Sequence, residues 1–228
     1  MSQTGYVRLF CNRDFQATFF LMKIYREVCV DNYEAAELSY KNGANRIELC
    51  SRLDLDGLTP DDTLIKKVVN NIKIPVRVMI RNVSETFIYK KNDINMMVDQ
   101  INFCKNIGVD GVVFGCLTKN QMLDIASINL LTELSKPLNV IIHKAIDKTP
   151  NPYESLKMVL KNKKINGVLT SGGKKKALSA VKELKKMLDL VPDDFELICA
   201  GGITYKNLPD LHSKLHGKYY HGRRIINF

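Results

Sequence analysis

The feature that most constrains this sequence is a regular alternation of short apolar runs with longer amphipathic stretches, which begins near residue 23. The first apolar run, residues 23–30, predicts a strand, and Asp31 and Asn32 then precede a helical pattern over residues 33–41. Strands that alternate with helices form right-handed βαβ units and a parallel sheet. Eight successive strands favour a closed α/β barrel, the TIM-type (β/α)8 fold.

The same alternation gives the bounds of every predicted element. The predicted strands cover residues 23–30, 45–50, 74–80, 110–115, 138–143, 166–170, 195–199 and 218–221. The predicted helices cover residues 33–41, 61–71, 93–107, 124–135, 153–162, 174–188 and 205–215. Seven residues follow the eighth strand, so we expect the barrel to lack its last helix. A doubly wound open sheet is the alternative that this pattern leaves open.

The length of the chain, 228 residues, suits one barrel domain. Residues 1–22 have a weak pattern, and we expect an N-terminal extension that is disordered or irregular, ahead of a barrel domain over residues 23–228. Residues 1–22 lack the apolar core and the cleavage site of a secretory signal. Because no run of eighteen apolar residues occurs, we expect no membrane span.

The net charge of +10 is compatible with an anionic partner. Most lysines fall in predicted helices, where solvated faces explain them, and no nucleic-acid motif accompanies them, so we expect no nucleic-acid partner. Six cysteines are spread through the chain without a CxxC spacing. A chain of this size needs no disulfides, which predicts a reduced, cytoplasmic protein. Closed symmetric dimers are common among proteins of this kind, so a homo-oligomer remains open.

Two cysteines fall near the ends of the first two predicted strands. Side chains alternate between the faces of a strand, so Glu27 shares a face with Cys29, and Glu48 shares one with Cys50. The two cysteines are therefore expected at similar heights on strands roughly 4.8 Å apart. Paired thiolates suit the soft ion Cu(I). The alternative is that both thiols simply pack as small apolar groups.

Charged and titratable side chains lie on several strands or just beyond their ends, where the functional groups of barrels gather. Because buried charge is costly unless it is paired, they predict either a polar small-molecule site or an interior salt-bridge network without chemistry. In an enzyme, His143 would be a general acid or base, with Asp147 or Glu48 assisting it, and Arg81 would hold an anionic group. The six residues are Glu27, Arg46, Glu48, Arg81, His143 and Asp147.

Glycine pairs follow the sixth and seventh predicted strands, at Ser171-Gly172-Gly173 and at Gly201-Gly202. Backbone amides in such turns can cradle a phosphate, and many barrels bind phosphate near the end of the strand series. Lys174 and Lys175 beside the first pair add positive charge. The sequence therefore predicts an anion-binding site, although glycine pairs also serve simply to make tight turns.

Eight short segments, each at a strand end, carry a resemblance to a known family. In order and spacing they are similar to the CutC family, over residues 27–221. The resemblance implies a barrel fold and a reported link to copper, with Cys29 and Cys50 at the positions associated with copper binding. The segments are Glu27-Val28-Cys29-Val30-Asp31, Gly43-Ala44-Asn45-Arg46-Ile47-Glu48-Leu49-Cys50-Ser51, Gly57-Leu58-Thr59-Pro60, Val78-Met79-Ile80-Arg81, Asp110-Gly111-Val112-Val113-Phe114-Gly115, His143-Lys144-Ala145-Ile146-Asp147, Leu169-Thr170-Ser171-Gly172-Gly173 and Gly201-Gly202-Ile203.

The sequence departs from the family pattern at four places. After Arg81 it has Asn82-Val83-Ser84-Glu85 where the family has Pro-Arg-Gly-Gly, and Lys144 replaces an Arg. Ala200 replaces a Gly, and Gly222-Arg223-Arg224 replaces a Ser-Ala-Arg segment that precedes a C-terminal tail. These departures add a third hypothesis, a barrel whose site has decayed.

Together these features predict a copper homeostasis protein that binds and buffers Cu(I) in the cytoplasm. The alternative is an enzyme that acts on a small anionic substrate, phosphorylated or not, at the C-terminal face of the barrel.

Overall fold

The structure, a computed structural model, describes residues 24–227, and the extension predicted for residues 1–22 lies outside them. The described residues form eight strands and seven α-helices. The strands are β1 (Tyr25–Val30), β2 (Arg46–Leu49), β3 (Val76–Met79), β4 (Gly111–Phe114), β5 (Asn139–Ile142), β6 (Gly167–Thr170), β7 (Glu196–Cys199) and β8 (Tyr219–His221). The helices are α1 (Tyr33–Lys41), α2 (Asp62–Asn71), α3 (Lys91–Ile107), α4 (Ile125–Ser135), α5 (Pro152–Val159), α6 (Val181–Leu188) and α7 (Leu208–Leu215).

The strands form a closed parallel barrel in chain order, from β1 to β8. Closure comes from parallel pairing of β8 with β1, in which Glu27 lies opposite His221. The predicted (β/α)8 barrel is therefore confirmed, and the open doubly wound sheet is excluded. No helix follows β8 within the described residues 222–227.

Side-chain alternation along the strands divides the apolar residues between two layers. One face of each strand packs against the helices, as Val28, Ile47 and Val78 do in the larger cluster. The other face points into the barrel, where a smaller cluster includes Cys29 and Met79. The interior is consequently a filled core whose upper end opens at the carboxyl ends of the strands.

Two strand positions in the barrel are glycine because the neighbouring strand lies too close for a side chain. Gly111 lies opposite Arg77 on β3, and Gly167 lies opposite Glu196 on β7. A Cβ atom at Gly167 would lie only 2.5 Å from the Glu196 carbonyl oxygen. A Cβ atom at Gly111 would lie 2.6 Å from the Asn139 carbonyl oxygen, so the backbone of a neighbouring strand leaves no room for a side chain at either position.

Helix starts follow the local sequence at most positions. The side chains of Asn32 and Asp61 accept hydrogen bonds from backbone amides in the first turns of α1 and α2. The helix predicted over residues 174–188 is wrong in its first half, since α6 begins only at Val181. The preceding chain is drawn toward the barrel by a 2.9 Å hydrogen bond from the Ala177 amide to the Gly201 carbonyl.

Among the described residues, none of the helices combines the length and the apolar character that crossing a membrane requires.

Candidate functional site

The lower half of the barrel interior holds a network of ion pairs. Glu196 accepts two hydrogen bonds from Arg77, both 2.9 Å, and two from Arg46, at 2.8 and 3.3 Å. Arg46 also pairs with Glu27 at 2.5 Å, and Arg77 with Asp110 at 3.0 Å. Each of these charges therefore has a partner, which is the condition for burying it.

The network fixes the charge state of its members. Burial alone raises the pKa of Glu27, but Arg46 and a hydrogen bond with His221 hold it well below its ordinary value. Burial lowers the pKa of Arg46, and Glu27 and Glu196 more than offset this, so the guanidinium stays charged. The interior salt-bridge alternative thus describes Glu27 and Arg46, which lie below the upper cavity of the barrel. Of the other network members, Arg77 and Glu196 were not singled out from the sequence, and Asp110 appeared there only within a segment similar to the CutC family.

Cys29 of β1 and Cys50, the residue that follows β2, meet above this network. The sulfur atoms of Cys29 and Cys50 lie 3.6 Å apart, a contact between thiols and much longer than a disulfide bond. The Cys50 thiol also donates to a carboxylate oxygen of Glu48 at 3.6 Å. One ligand atom from each of the three residues falls within a group whose atoms all lie within 4.8 Å of one another. This is a candidate metal centre.

His221 is a fourth member of the centre, and sequence reasoning missed it. Its Nδ1 atom lies 2.8 Å from Glu27, and its Nε2 atom lies 3.6 Å from Glu48. Burial alone lowers the pKa of His221, but Glu48, Cys29 and Glu27 raise it well above its ordinary value. The ring is therefore held as a cation between two carboxylates. Its position at the end of β8 was the only signal in the sequence.

Both thiols are held in the protonated form. A hydrogen bond with Cys50, together with burial, raises the pKa of Cys29 well above its ordinary value. The hydrogen bond from Cys29 lowers the pKa of Cys50, but burial and Glu48 raise it to about 11. The pKa of Glu48 is itself raised by burial, and its Oε1 atom has no hydrogen-bond partner within residues 24–227. The centre thus offers a metal two thiols and an uncommitted carboxylate oxygen.

A cavity of about 810 Å³ opens above the thiol pair at the carboxyl ends of the strands. Cys29, Glu48 and His221 line it, whereas Cys50 lies behind them beneath the loop after β2. Gly57 of that loop is close enough that a Cβ atom there would lie 3.2 Å from the Cys50 sulfur. A ligand that enters the cavity therefore meets Cys29 before Cys50.

His143 and Arg81 also line the cavity, and both contact the ring of Phe87, at 4.9 Å between the ring centroids and 4.7 Å from the guanidinium carbon to the ring centroid. The Nδ1 atom of His143 accepts a hydrogen bond from the Ala145 amide at 3.2 Å, so the neutral ring carries its proton on Nε2. Burial, and then Arg81, lower the pKa of His143 to about 3. Within residues 24–227, neither Asp147 nor Glu48 contacts the ring of His143, so the structure does not bring together the pair that the sequence predicts for acid–base chemistry.

Asp147 instead fastens the loop after β6. Its carboxylate accepts hydrogen bonds from the Ser171 amide at 2.8 Å and from the Gly173 amide at 2.9 Å. The hydroxyls of Thr170 and Ser171 donate to it as well, at 2.5 and 2.8 Å. The Gly172 amide donates to the Thr170 hydroxyl at 3.0 Å. Asp147 therefore occupies the turn that the sequence predicts as an anion cradle.

The second glycine turn is different. Gly201 and Gly202 line the cavity with φ angles of 105° and 68°, in the left-handed region that glycine favours. Within the described residues, no hydrogen bond from either amide is formed. The turn is joined to the segment after β8 by a bridge between Thr204 and Arg224. Of the two predicted anion-binding turns, this one leaves its amides available.

The fold and the site define a class, a (β/α)8 barrel with a buried thiol pair beneath a basic cavity. The sequence profile of the CutC family matches residues 24–226, and the chain belongs to that family. It is 37% identical to the mouse copper homeostasis protein cutC homolog over 80% of this chain and 66% of that protein. It is 34% identical to the CutC protein of Pasteurella multocida over 82% of this chain and 75% of that protein.

Solved structures give the same assignment of fold. The CutC protein of Streptococcus agalactiae superposes with a TM-score of 0.83 and 26% identity, over 89% of this chain and 99% of that one. A dihydrodipicolinate synthase of Bacillus anthracis superposes with a TM-score of 0.63 and 14% identity, over 88% of this chain and 70% of that one. The second likeness concerns the barrel fold alone. The chain spans about two thirds of the length of its mouse relative.

Proposed function

We propose that this chain acts in copper homeostasis by binding Cu(I) between Cys29 and Cys50. The observation that carries the proposal is the 3.6 Å contact between the two sulfur atoms at the base of an open cavity. A metal–thiolate bond of about 2.3 Å, as for zinc, lets one ion bridge sulfur atoms up to about 4.6 Å apart. One ion can therefore reach both sulfurs with little movement of either strand.

The chemistry of the donors supports a soft monovalent ion. Thiolates select Cu(I), whereas the sites of Mg²⁺ and Ca²⁺ consist of oxygen atoms. Glu48 accepts from the Cys50 thiol, so it is placed to receive the proton that this thiol gives up when it binds a metal. Its second oxygen, which is unpartnered within residues 24–227, can complete the coordination. A buffering role in the cytoplasm belongs to the same proposal.

The experiment is an anaerobic titration of the reduced protein with Cu(I) against a competing chromogenic chelator. The test variant is the double substitution Cys29→Ser, Cys50→Ser. The matched control is Cys116→Ser, Cys199→Ser, which changes two equally buried thiols that lie outside the centre. We expect one tightly bound ion per chain in the wild type and in the control, and a loss of at least a hundredfold in affinity in the test variant.

Copper X-ray absorption on the loaded protein supplies a second measurement, with two sulfur neighbours expected per ion. The proposal fails if the test variant keeps the stoichiometry and affinity of the wild type. It also fails if the control variant, shown to be folded by circular dichroism, loses as much affinity as the test variant.

A further inference from the structure

The cavity above the thiol pair is much larger than a copper ion requires. Its volume of about 810 Å³ lies in the range of pockets that hold small organic ligands, roughly 300 to 1,000 Å³. Among the described residues, three acidic ones line it, Glu48, Asp56 and Asp147, and the last is committed to the loop after β6. Seven basic residues of the same part of the chain line it: Arg81, Lys144, Lys148, Lys174, Lys175, Arg223 and Arg224. The excess of cations favours an anionic ligand.

One side of the cavity holds two buried donors without acceptors. The Nε2 atom of His143 and the Nε atom of Arg81 have no hydrogen-bond partner within residues 24–227, and the two residues are only 3% and 4% exposed. The other nitrogens of Arg81 donate to backbone carbonyls of Leu55, Gly57 and Ser84, which fixes the guanidinium in place. Unsatisfied buried donors are costly, so a ligand that supplies acceptor oxygens here gains binding energy.

The other side of the cavity is lined by Gly201 and Gly202, whose amides have no hydrogen-bond partner within residues 24–227. Gly201 and Gly202 follow β7, and Arg224 follows β8, which are the loops that bind phosphate in many barrels. Successive amides of this kind form an anion-binding concavity, and Lys175 lines the same cavity. The donors of the first side and the amides of the second side lie on strands that are not neighbours in the barrel. A ligand that uses both must therefore be extended.

We propose that the cavity binds a small phosphorylated metabolite, with its phosphate on the Gly201 and Gly202 amides and other oxygen atoms on His143 and Arg81. Every group in this set is a donor, so the ligand presents acceptors at both ends. The site goes beyond copper binding, since none of these residues belongs to the thiol centre. Metal-free protein, and the Cys29→Ser, Cys50→Ser variant, are expected to bind such a ligand as the wild type does.

The test uses two probes, inorganic phosphate and glycerol 3-phosphate, with glycerol and chloride at equal ionic strength as references. Binding is followed by thermal shift and by calorimetry on metal-free protein. Lys175→Glu is compared with Lys182→Glu, because both lysines are exposed and only Lys175 lines the cavity. We expect Lys175→Glu to lower the affinity for both probes at least tenfold and Lys182→Glu to change these affinities less than twofold.

His143→Leu separates the two sides of the cavity. Inorganic phosphate reaches only the glycine side, so its affinity should be unchanged, whereas the affinity for glycerol 3-phosphate should fall several-fold. Where His143→Leu is poorly folded, the comparison of Lys175→Glu with Lys182→Glu decides the question. The proposal is overturned if neither probe gives saturable binding at millimolar concentration, or if Lys182→Glu weakens binding as much as Lys175→Glu. Because the metal-free protein is used, either result leaves the copper proposal untouched.

Discussion

Arg77 is the residue whose loss the interior of the barrel should tolerate least. It is 2% exposed, and it donates to Glu196 through two hydrogen bonds of 2.9 Å and to Asp110 through one of 3.0 Å. The substitution Arg77→Met keeps the length of the side chain and removes the charge. Glu196 then retains Arg46 as its partner, and within residues 24–227 the Asp110 carboxylate retains only the side-chain amide of Asn139.

Breaking a buried ion pair by removing one partner typically costs about 3 to 5 kcal/mol, because the other charge is left uncompensated. The packing of the Met side chain offsets part of this cost, so we expect the lower half of that range. For a domain of this size about 1 kcal/mol corresponds to 2 to 4 °C in melting temperature, which predicts a decrease of roughly 6 to 16 °C.

The assay is urea unfolding followed by circular dichroism at neutral pH, with Arg52→Met as the matched control. Arg52 forms the same kind of pair, with Asp54 at 2.8 Å, but both side chains are exposed. Exposed ion pairs contribute little to stability, so this variant should unfold at the same urea concentration as the wild type. A double-mutant cycle with Glu196→Gln should give a double variant less destabilised than the sum of the single variants. The prediction is wrong if Arg77→Met lowers the free energy of unfolding no more than Arg52→Met does.

Two further predictions concern the mouth of the barrel. Burial and Arg81 lower the pKa of His143 from 6.5 to about 3, so the unfolded chain binds more protons than the folded protein between these values. The free energy of unfolding should therefore fall as the pH drops through this window, by up to about 1.4 kcal/mol per unit, and His143→Leu should flatten the slope measured by urea unfolding. Asp147→Ala removes the acceptor of the Ser171 and Gly173 amides, so their hydrogen exchange should accelerate about tenfold or more. Unchanged protection at both amides would contradict the fastening role of Asp147.

The barrel could be predicted because its signals are local. Every strand and helix alternates in the sequence, and helix starts such as Asn32 and Asp61 are readable from single residues. The segment before Val181 could not be predicted, since its lysines are as compatible with a helix as with the loop that the structure shows. Its course depends on the bond from Ala177 to Gly201, a contact between two loops that only the closed barrel brings together.

The candidate site, too, could be predicted from the sequence only in part. Side-chain alternation was enough to place Cys29 near Cys50, because β1 and β2 are neighbours in sequence as well as in the sheet; Cys29 lies opposite Glu48, and Cys50 follows two residues later. The partners that closure of the barrel brings to Arg46 and Glu27 were not predictable. Glu196 is 150 residues from Arg46, and His221 is 194 residues from Glu27. Such contacts form only when the barrel closes. The alternation of strands and helices predicts that closure, but it does not say which residues of the first and last strands pair.

The ion network also explains why one carboxylate among several is suited to a metal. The Glu27 carboxylate is committed to Arg46 and His221, and that of Glu196 is committed to two guanidinium groups. Glu48 lies one step above them in the barrel, with a thiol on one oxygen and no partner within residues 24–227 on the other. Because the charges below it are mutually satisfied, they do not compete for an ion at the thiol pair. An ion that reaches the proposed copper site from the cavity therefore meets Cys29 and Glu48, which line it, and the paired charges of Glu27 and Arg46 lie beneath them.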